Sequence, residues 1–231
     1  MLIASLSIVS TCYAQEPSTV VEDHGIVGLG KRFVHDDAEL WTSPLRIHRE
    51  DLKWVVPFAA GAAAFLKTDR SISAEIGEDK NIQGPSHAVS QMGSFPLYLT
   101  PAALMVLGHV SKDERTTHAG SVTLQAVLHS AIIVQTLKAS TNRQRPDNPH
   151  GDGGFWDGGK SFPSGHAMSS WAFAEALSDQ YPEKKWIRIG SYGMATAVSL
   201  SRISGQNHFP SDVLVGSSLG WLIGHYISHH H

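Results

Sequence analysis

The sequence has an all-α pattern and predicts a single-domain helical bundle over residues 41–228. The chain has 231 residues, of which 42% are hydrophobic and 17% are charged, a size and composition that suit one domain with one sizeable core. No internal repeat, low-complexity tract or linker divides the sequence. Its apolar runs are each longer than an ordinary strand and therefore favour helices: Trp54–Leu66, Phe95–Val110, Val122–Leu137 and Val213–Ile227.

The N-terminus is predicted to be an export signal over residues 1–14. Residues 2–9 are apolar apart from two serines, and small residues stand at the positions that signal peptidase requires before Gln15. No Lys or Arg precedes the apolar segment, so an N-terminal anchor is an alternative, as is a lipid-modified Cys12. We therefore expect an exported, periplasmic protein. Cys12 is the only cysteine, which excludes an internal disulfide.

The segments before residue 111 predict a mixture of irregular structure and helices. Residues 15–40 mix glycine, acidic and polar residues without a clear period, which predicts an irregular N-terminal arm outside the helical core. The first core helix is expected to end at Leu66, and residues 68–93 suit short helices. Pro96 and Pro101 are expected to mark the start of the next long helix, since proline is favoured in a first turn.

The C-terminal half carries clearer boundaries. A helix is expected from His118 to Arg143, because the prolines that follow cannot continue it. Residues 147–162 are rich in glycine around Phe155 and Trp156, which predicts a loop, and these two aromatic side chains are either a lid beside a site or anchors of the loop. The later helices are expected over three ranges: Ser164–Ser178, Lys185–Ile203 and Pro210–Ile227.

Charge and run length exclude some classes of function. The formal net charge is −3 and no long basic run occurs, so nucleic-acid binding is not expected. The apolar runs are shorter than the roughly 20 residues of a spanning helix, which favours a soluble exported domain, although short helices packed as a bundle can still dip into a bilayer. Residues 229–231 are a histidine tail that we leave out of the chemistry.

The first candidate segment runs from Lys138 to Pro146 and is rich in cations. Lys138 and Arg145 lie seven residues apart, or about two helical turns, so we expect them to share a helix face. An Arg fork together with a Lys point charge suits a tetrahedral dianion. Cations at a helix C-terminus are also common because of the helix dipole, so this segment alone leaves both interpretations open.

The second candidate segment, residues 161–166, ends in Pro-Ser-Gly-His ahead of a helical run. A helix N-terminus carries positive potential and unsatisfied N–H donors, so it binds anions. Gly165 lets the backbone come close, the Ser164 hydroxyl can donate, and His166 then stands beside the bound group. An ordinary serine cap with an incidental histidine is the alternative.

The third candidate segment, residues 201–212, combines a cation, a histidine and a carboxylate. Pro210 suits the first turn of a new helix, so His208 lies at a helix entrance. Asp212, four residues on, can accept the proton of one ring nitrogen and leave the other nitrogen with its lone pair available. The alternative is that Asp212 compensates the helix dipole and that Arg202 is a surface cation.

Together the three segments resemble the signature of the type 2 phosphatidic acid phosphatase superfamily, which joins bacterial non-specific acid phosphatases, membrane lipid phosphatases and vanadium haloperoxidases. The pattern of that family is Lys, six residues, Arg-Pro; then Pro-Ser-Gly-His; then Ser-Arg, five residues, His, three residues, Asp. The sequence departs from none of these positions. The resemblance covers residues 138–212 by motif and agrees with the all-helical core of the family.

The resemblance implies a metal-independent phosphatase that hydrolyses phosphomonoesters or pyrophosphates through a phosphohistidine. His208 is then the nucleophile, His166 the general acid and later the base, and Asp212 the residue that orients His208. We expect no metal ion and no cofactor, because cations and a helix end supply the charge. The residues implied to bind the phosphoryl oxygens come from all three segments: Lys138, Arg145, Ser164, Gly165 and Arg202.

Two other functions stay open at this stage. A vanadium-dependent haloperoxidase uses the same anion cradle, and a non-catalytic phosphate- or lipid-headgroup-binding protein would keep it. An oriented nucleophile with an acid favours the enzyme. His118, His129 and His150 lack the spacing of metal ligands, and we do not expect them to bind a metal.

The expected substrate is a phosphorylated small molecule or a lipid phosphate. The short apolar runs favour the soluble class. Aromatic residues of one N-terminal segment suggest an apolar surface leading to the site, and with it peripheral membrane contact and a lipid tail: Trp41, Trp54, Phe58 and Phe65. The oligomeric state is not fixed by the sequence.

Overall fold

The computed structural model describes residues 26–77, 80–148 and 152–231 and confirms the all-α fold. A short 3₁₀ turn, Ser43–Arg46, follows the first helix. The predicted export signal and His150 lie outside the described residues. Seven α-helices occupy the described part of the chain: α1 Ile26–Thr42, α2 Leu52–Gly77, α3 Lys80–Ser111, α4 Glu114–Thr141, α5 Gly165–Gln180, α6 Lys185–Ser204 and α7 Pro210–His230.

The bounds of α4 follow from local capping. The Asp113 side chain accepts a hydrogen bond from the backbone N–H of Thr116 at 3.2 Å, which satisfies one of the free donors of the first turn. At the other end Asn142 adopts a left-handed conformation, with φ of 44°, and donates its N–H to the carbonyl oxygen of Lys138 at 3.0 Å. The chain therefore leaves the helix at Thr141, two residues before the predicted end.

The hydrophobic core lies between α4, α5 and α7. Small residues on α5 let the neighbouring helices come close, and larger aliphatic side chains of α4 and α7 fill the space between them. The buried residues of this core are Val122, Ala126, Ile133, Val134, Met168, Ala172, Ala176, Ile223 and Ile227.

Helices α5 and α7 run parallel and in register because glycines of α7 lie directly against the α5 backbone. The glycines recur every four residues, on one face of the helix. A Cβ at Gly220 would stand 2.1 Å from a carbonyl oxygen of α5, closer than any side chain tolerates. The facing pairs are Gly216 with Ser164, Gly220 with Met168, and Gly224 with Ala172. The N-termini of the two helices consequently lie side by side.

The predicted irregular arm over residues 15–40 is wrong from residue 26 onward, where α1 begins. Helix α1 packs on the core rather than lying outside it. The Phe33 ring stacks on His129 with ring centroids 4.0 Å apart, and Asp37 Oδ1 lies 3.3 Å from His129 Nδ1. These long-range contacts hold α1 against the core.

The predicted short helices after Leu66 are also wrong. Helix α2 continues to Gly77, and α3 begins at Lys80 and runs through both Pro96 and Pro101. Packing overrides the local proline signal here, because α3 lies directly on α4. A Cβ at Gly120 would meet the carbonyl oxygen of Pro101 at 2.7 Å.

Helix α4 is longer than the apolar run that predicted it. Among the described residues it alone is both long and apolar enough to cross a membrane, by length and composition, and half of its most apolar stretch is buried inside the protein. A buried core helix of a soluble protein meets the same criterion. The run lengths in the sequence therefore underestimated this helix.

Candidate functional site

The three candidate segments meet at one pocket of about 210 Å³. The pocket lies at the adjacent N-termini of α5 and α7, where α4 ends. One wall is apolar and is formed by Leu97, Ala131 and Val134, and the half-exposed Tyr98 stands beside them. The predicted site residues that line the pocket are Lys138, Arg145, Gly165, His166 and His208.

Lys138 and Arg145 reach the pocket from different structures. We expected them to share a helix face, and this was wrong, because α4 ends at Thr141 and Arg145 stands in the following loop. Lys138 Nζ donates a hydrogen bond to the carbonyl oxygen of Lys160 at 2.9 Å. The glycine-rich loop thus fixes the ammonium group at the rim of the pocket.

Ser164 is the N-cap of α5 and is fully buried. Its backbone N–H donates to the carbonyl oxygen of Asp212 at 3.0 Å, which ties the first turns of α5 and α7 together. Its hydroxyl has no hydrogen-bond partner among the described residues. Gly165 and His166 follow in the first turn and line the pocket, where helix N–H groups favour an anion.

His208 is buried at the entrance to α7. Its Nδ1 lies 3.6 Å from Asp212 Oδ2 and 3.5 Å from Ser161 Oγ. The two oxygens therefore face Nδ1, which leaves Nε2 as the nitrogen available for chemistry. Arg202, in the last turn of α6, is not among the residues that line the pocket, and its carbonyl oxygen accepts the N–H of His208 at 3.1 Å.

Asp212 accepts hydrogen bonds on both carboxylate oxygens. Oδ2 accepts from Ser161 Oγ at 2.5 Å and from the backbone N–H of Phe209 at 3.0 Å. Oδ1 accepts from Arg143 Nη1 at 2.5 Å. Burial raises the pKa of Asp212. The contact with His208 and the charge of Arg143 lower it by a larger amount, so its pKa lies below the usual value. The carboxylate is therefore ionised and held in one orientation.

Both pocket histidines are neutral at neutral pH. Burial lowers the pKa of His208 to about 4, although the contact and charge of Asp212 act in the opposite direction. Burial also lowers the pKa of His166 to about 4, and the positive charge of Arg202 is the next cause. Neutral His208 has the lone pair that a nucleophile needs.

Sequence reasoning missed Arg143, which lies between the two predicted cations of the first segment. Its guanidinium is buried and donates to Asp212 Oδ1, to Asp69 Oδ2 at 2.7 Å and to Ser211 Oγ at 2.7 Å. Asp69, a buried carboxylate of α2, also accepts the backbone N–H of Ser211 at 3.0 Å. A Lys–Arg–Arg cluster in the sequence could have indicated Arg143, but no local pattern indicates Asp69.

The glycine-rich loop is anchored to Arg143. Arg143 Nε donates to the carbonyl oxygen of Gly153 at 3.1 Å, and the guanidinium stacks over the Phe155 ring at 4.8 Å. The Phe155 ring also contacts Phe162, with centroids 5.5 Å apart. Of the two alternatives for these aromatic residues, anchoring fits Phe155, whereas Trp156 is exposed.

Comparison with known proteins agrees with this geometry. The PAP2 superfamily model matches residues 119–231, a range that contains all three segments. Two relatives named lipid A 1-phosphatase are similar over shorter stretches. The protein of Porphyromonas gingivalis is 32% identical over 93 residues, which are 40% of this chain and 19% of that protein. The protein of Rhizobium etli is 31% identical over 108 residues, 44% of this chain and 45% of that protein.

The chain thus spans less than half of the length of these relatives. Two solved structures share the fold over most of the chain. One is described as the first transmembrane PAP2 type phosphatidylglycerolphosphate phosphatase, from Bacillus subtilis, with a TM-score of 0.59, 25% identity, and coverage of 79% of this chain and 96% of that one. LpxE of Aquifex aeolicus has a TM-score of 0.52 at 24% identity, over 72% of this chain and 94% of that one. The three segments meet at one pocket, and the part of the chain that contains them, residues 119–231, matches the PAP2 superfamily.

Proposed function

We propose that the chain is a phosphatase that works through a covalent phosphohistidine on His208. One observation carries the proposal: a buried neutral histidine, backed by an ionised Asp212, lines a pocket together with Lys138, Arg145 and His166. A nucleophile, its orienting carboxylate, an acid and an anion cradle are the parts that phosphoryl transfer needs. The names of the relatives, all phosphatases, support the same chemistry.

In the first step Nε2 of His208 attacks phosphorus. The N–P bond forms as the P–O ester bond breaks, and Asp212 stabilises the positive charge that develops on the ring. The departing alkoxide takes its proton from His166. His166 takes up this proton from solvent when the substrate binds. Burial and the nearby cations lower its pKa in the empty pocket, and the negative charge of the bound substrate raises it again.

In the second step His166, now neutral, removes a proton from water. The resulting hydroxide attacks phosphorus, the N–P bond breaks, and inorganic phosphate leaves with His208 neutral again. Lys138 and Arg145, with the α5 N-terminus at Ser164 and Gly165, hold the equatorial oxygens in both steps. Arg202 does not line the pocket, but its positive charge acts on His166 and Lys138 and therefore also favours the bound phosphate.

These fixed cations take the part that a metal ion plays in many phosphatases, so we propose a metal-independent reaction. Turnover at 25 °C is expected to be unchanged after treatment with a chelator. Activity that is lost on chelation while the melting temperature stays unchanged, and that a divalent ion restores, would contradict this part of the proposal.

A phosphate carried by a lipid is the substrate class that we propose. The sequence favoured soluble monoesters on run length, but two observations now favour lipids. The pocket has an apolar wall at Leu97 and Val134, and large apolar side chains such as Leu107 and Val110 of α3 are exposed. The named relatives act on lipid phosphates, and one solved relative is described as transmembrane.

The covalent intermediate can be tested by trapping. In His166→Ala the base for the second step is missing, so a substrate with a good leaving group, such as an aryl phosphate, should leave labelled phosphate on the protein. The label should be acid-labile and base-stable, as phosphohistidine is, and it should be absent from His166→Ala/His208→Ala. His208→Ala alone should lose turnover by at least about a thousandfold.

The control for folding is the melting temperature of each variant, because His208 is fully buried and its truncation leaves a cavity. His208→Gln fills more of that space and should lose turnover to the same extent. Substantial phosphate release by His208→Ala, or label that persists in the double variant, would disprove the covalent mechanism. Absence of any time-dependent phosphate release by the wild-type protein would favour a binding protein instead.

A further inference from the structure

A second cluster of ionisable side chains lies at the far end of the α5–α7 pair. Glu175 and Asp179 stand four residues apart on α5, and His225 and His229 stand four residues apart on α7. His229 belongs to the histidine tail, for which the sequence indicates no chemistry, but α7 extends to His230 and so carries it. Each pair therefore shares one helix face. His225 Nδ1 lies 3.1 Å from Glu175 Oε1 and 3.9 Å from Asp179 Oδ2, and His229 Nδ1 lies 3.5 Å from the same Asp179 oxygen.

The position of the cluster favours a cation. Helices α5 and α7 are parallel, so both place their C-terminal carbonyl groups, with their partial negative charge, beside the cluster. Their N-termini form the phosphate pocket at the opposite end. Thirteen residues of α5 separate His166 from Asp179, which corresponds to about 20 Å along the helix, so this cluster has no part in the phosphate chemistry.

The surrounding side chains hold the cluster in place. Glu175 is buried and accepts a hydrogen bond from the Tyr192 hydroxyl. The Trp221 ring stacks on His225, with centroids 5.0 Å apart and planes at 12°, and its Nε1 donates to the Tyr192 oxygen at 3.2 Å. An outer layer of this kind is what orients the ligands of metal sites.

Ser228 completes the support by donating its hydroxyl to Asp179 Oδ2 at 2.7 Å. The ligand atoms of Asp179, His225 and His229 all lie within 4.8 Å of one another. Tetrahedral Zn²⁺ with bonds of about 2.1 Å needs ligand atoms about 3.4 Å apart. The imidazole–carboxylate distances in the cluster, 3.1 to 3.9 Å, lie on both sides of that value. His229 Nδ1 lies 2.9 Å from the carbonyl oxygen of His225, so the ring has to turn away from that oxygen to bind the ion.

We propose that Asp179, His225 and His229, with Glu175, bind a divalent transition-metal ion of the zinc type. Two imidazoles with carboxylates select such an ion over Mg²⁺ or Ca²⁺, which take oxygen ligands. The ion joins the C-terminal ends of α5 and α7. Its role is structural, because it stabilises the helix pair whose other ends form the phosphate pocket.

The test uses the full chain, stripped with a chelator and titrated with Zn²⁺ alone against a chromophoric competitor. One equivalent should bind, and the melting temperature should rise with Zn²⁺ because the ion binds the folded state. His225→Ala, and separately the more exposed His229→Ala, should weaken binding at least about a hundredfold. Asp179→Asn should do the same. Co²⁺ should give the visible absorption of a tetrahedral site in wild type and not in His225→Ala.

The matched control is His230→Ala, in the same histidine run. The His230 ring stacks on Tyr226 with centroids 4.0 Å apart, and it is outside the cluster, so one equivalent of Zn²⁺ should still bind tightly. Equal loss in His230→Ala and His225→Ala would assign binding to the exposed histidine run and overturn the proposal. Tight binding by Asp179→Asn, or no stoichiometric binding by the wild-type chain, would overturn it as well.

Discussion

Arg143 joins three parts of the site through one side chain. Breaking a buried ion pair costs about 3–5 kcal/mol when the partner is left unpaired, and a lysine cannot reach Asp212, Asp69 and the carbonyl oxygen of Gly153 together. We therefore expect Arg143→Lys to lower both the melting temperature and kcat, the latter at least about tenfold.

Arg115→Lys is the matched control for this prediction. Arg115 pairs with Glu183 at 2.8 Å in an exposed bridge, and such pairs contribute little to stability. The melting temperature and kcat of Arg115→Lys should stay close to those of the wild type. An Arg143→Lys variant that behaves like this control would show that the buried network does not position Asp212.

His208 is buried in its neutral form, which predicts how the free energy of unfolding changes with pH. The pKa of His208 is about 4 in the folded protein and about 6.5 in the unfolded chain. Between these values the unfolded chain binds a proton that the folded protein does not, so the free energy of unfolding falls as pH drops from about 6.5 to about 4. One pKa unit corresponds to about 1.4 kcal/mol, which makes the contribution of His208 ~3 kcal/mol at most.

Denaturant unfolding at several pH values between 4 and 7 measures this slope. His208→Gln removes the titrating ring, so its slope should be smaller than that of the wild type. Asp212 does not account for the effect, because its pKa lies below the usual value of 3.8 and its carboxylate stays ionised over most of this range. An unchanged slope in His208→Gln would contradict the assignment.

At the level of single residues, the sequence predicts the residues that line the pocket better than the buried residues that hold them in position. Lys138, Arg145 and His166 come together as the motifs imply, since each motif carries its own local geometry. Asp69 could not be predicted, because its partner Ser211 lies 142 positions away. Such a pairing exists only once α2 and α7 have packed.

Close packing of α5 and α7 positions both helix N-termini at the pocket. At Gly220 a Cβ would lie 2.1 Å from the carbonyl oxygen of Met168, and backbone cannot move aside as a flexible side chain can. Gly220→Ala is therefore expected to separate the two helices, lower the melting temperature and lower kcat/KM, because the N–H groups of α5 would no longer face His208.

Gly190→Ala in α6 is the control for helix propensity. A Cβ at Gly190 meets nothing within 4 Å, so the substitution should leave kcat/KM unchanged and stabilise the protein by up to about 1 kcal/mol. Thermal melts and steady-state kinetics of the two variants make the comparison. A Gly220→Ala variant as stable as Gly190→Ala would show that the helices can separate without cost.

The accuracy of the sequence predictions differs between elements for physical reasons. Helices α5 and α7 begin where Ser164 and Pro210 predict. Proline in a first turn acts locally, whereas Ser164 occupies the N-cap position without a hydrogen bond from its side chain. Helix α1 was missed because contacts with α4, such as Phe33 on His129, stabilise it. Pro101 predicts a helix start, but α3 continues through it because it packs on α4.

The molecule as a whole is organised along the α5–α7 axis. The N-terminal end of the pair gathers cations and helix N–H groups around a pocket, and the C-terminal end gathers Glu175, Asp179 and two histidines. Both arrangements follow from parallel dipoles in two helices that glycine residues bring together. The parallel packing of α5 and α7 therefore places the anion site at their N-termini and the proposed cation site at their C-termini.

Large apolar side chains remain exposed around this axis in the described part of the chain. Monomeric soluble proteins rarely expose such residues in large contiguous patches, and α3 and α4, which supply the apolar wall of the pocket, carry many of them. The exposed residues of these two helices include Leu99, Val106, Leu107, Val110, Leu128 and Ile132. The two helices that form the apolar wall of the pocket therefore also expose apolar side chains to the surroundings.

This surface predicts the substrate preference. For one phosphomonoester headgroup, a long-chain lipid presented in mixed micelles should have a kcat/KM at least about tenfold above that of its water-soluble, chain-free analogue, because each buried methylene contributes about 0.8 kcal/mol. Tyr98 lines the pocket and is half exposed, so Tyr98→Ser should reduce the value for the lipid and spare that for the analogue. Val34→Ser, on exposed α1 surface away from the pocket, should change neither. Equal kcat/KM for both substrates in the wild type would contradict a lipid preference and favour soluble phosphomonoesters as the substrate class.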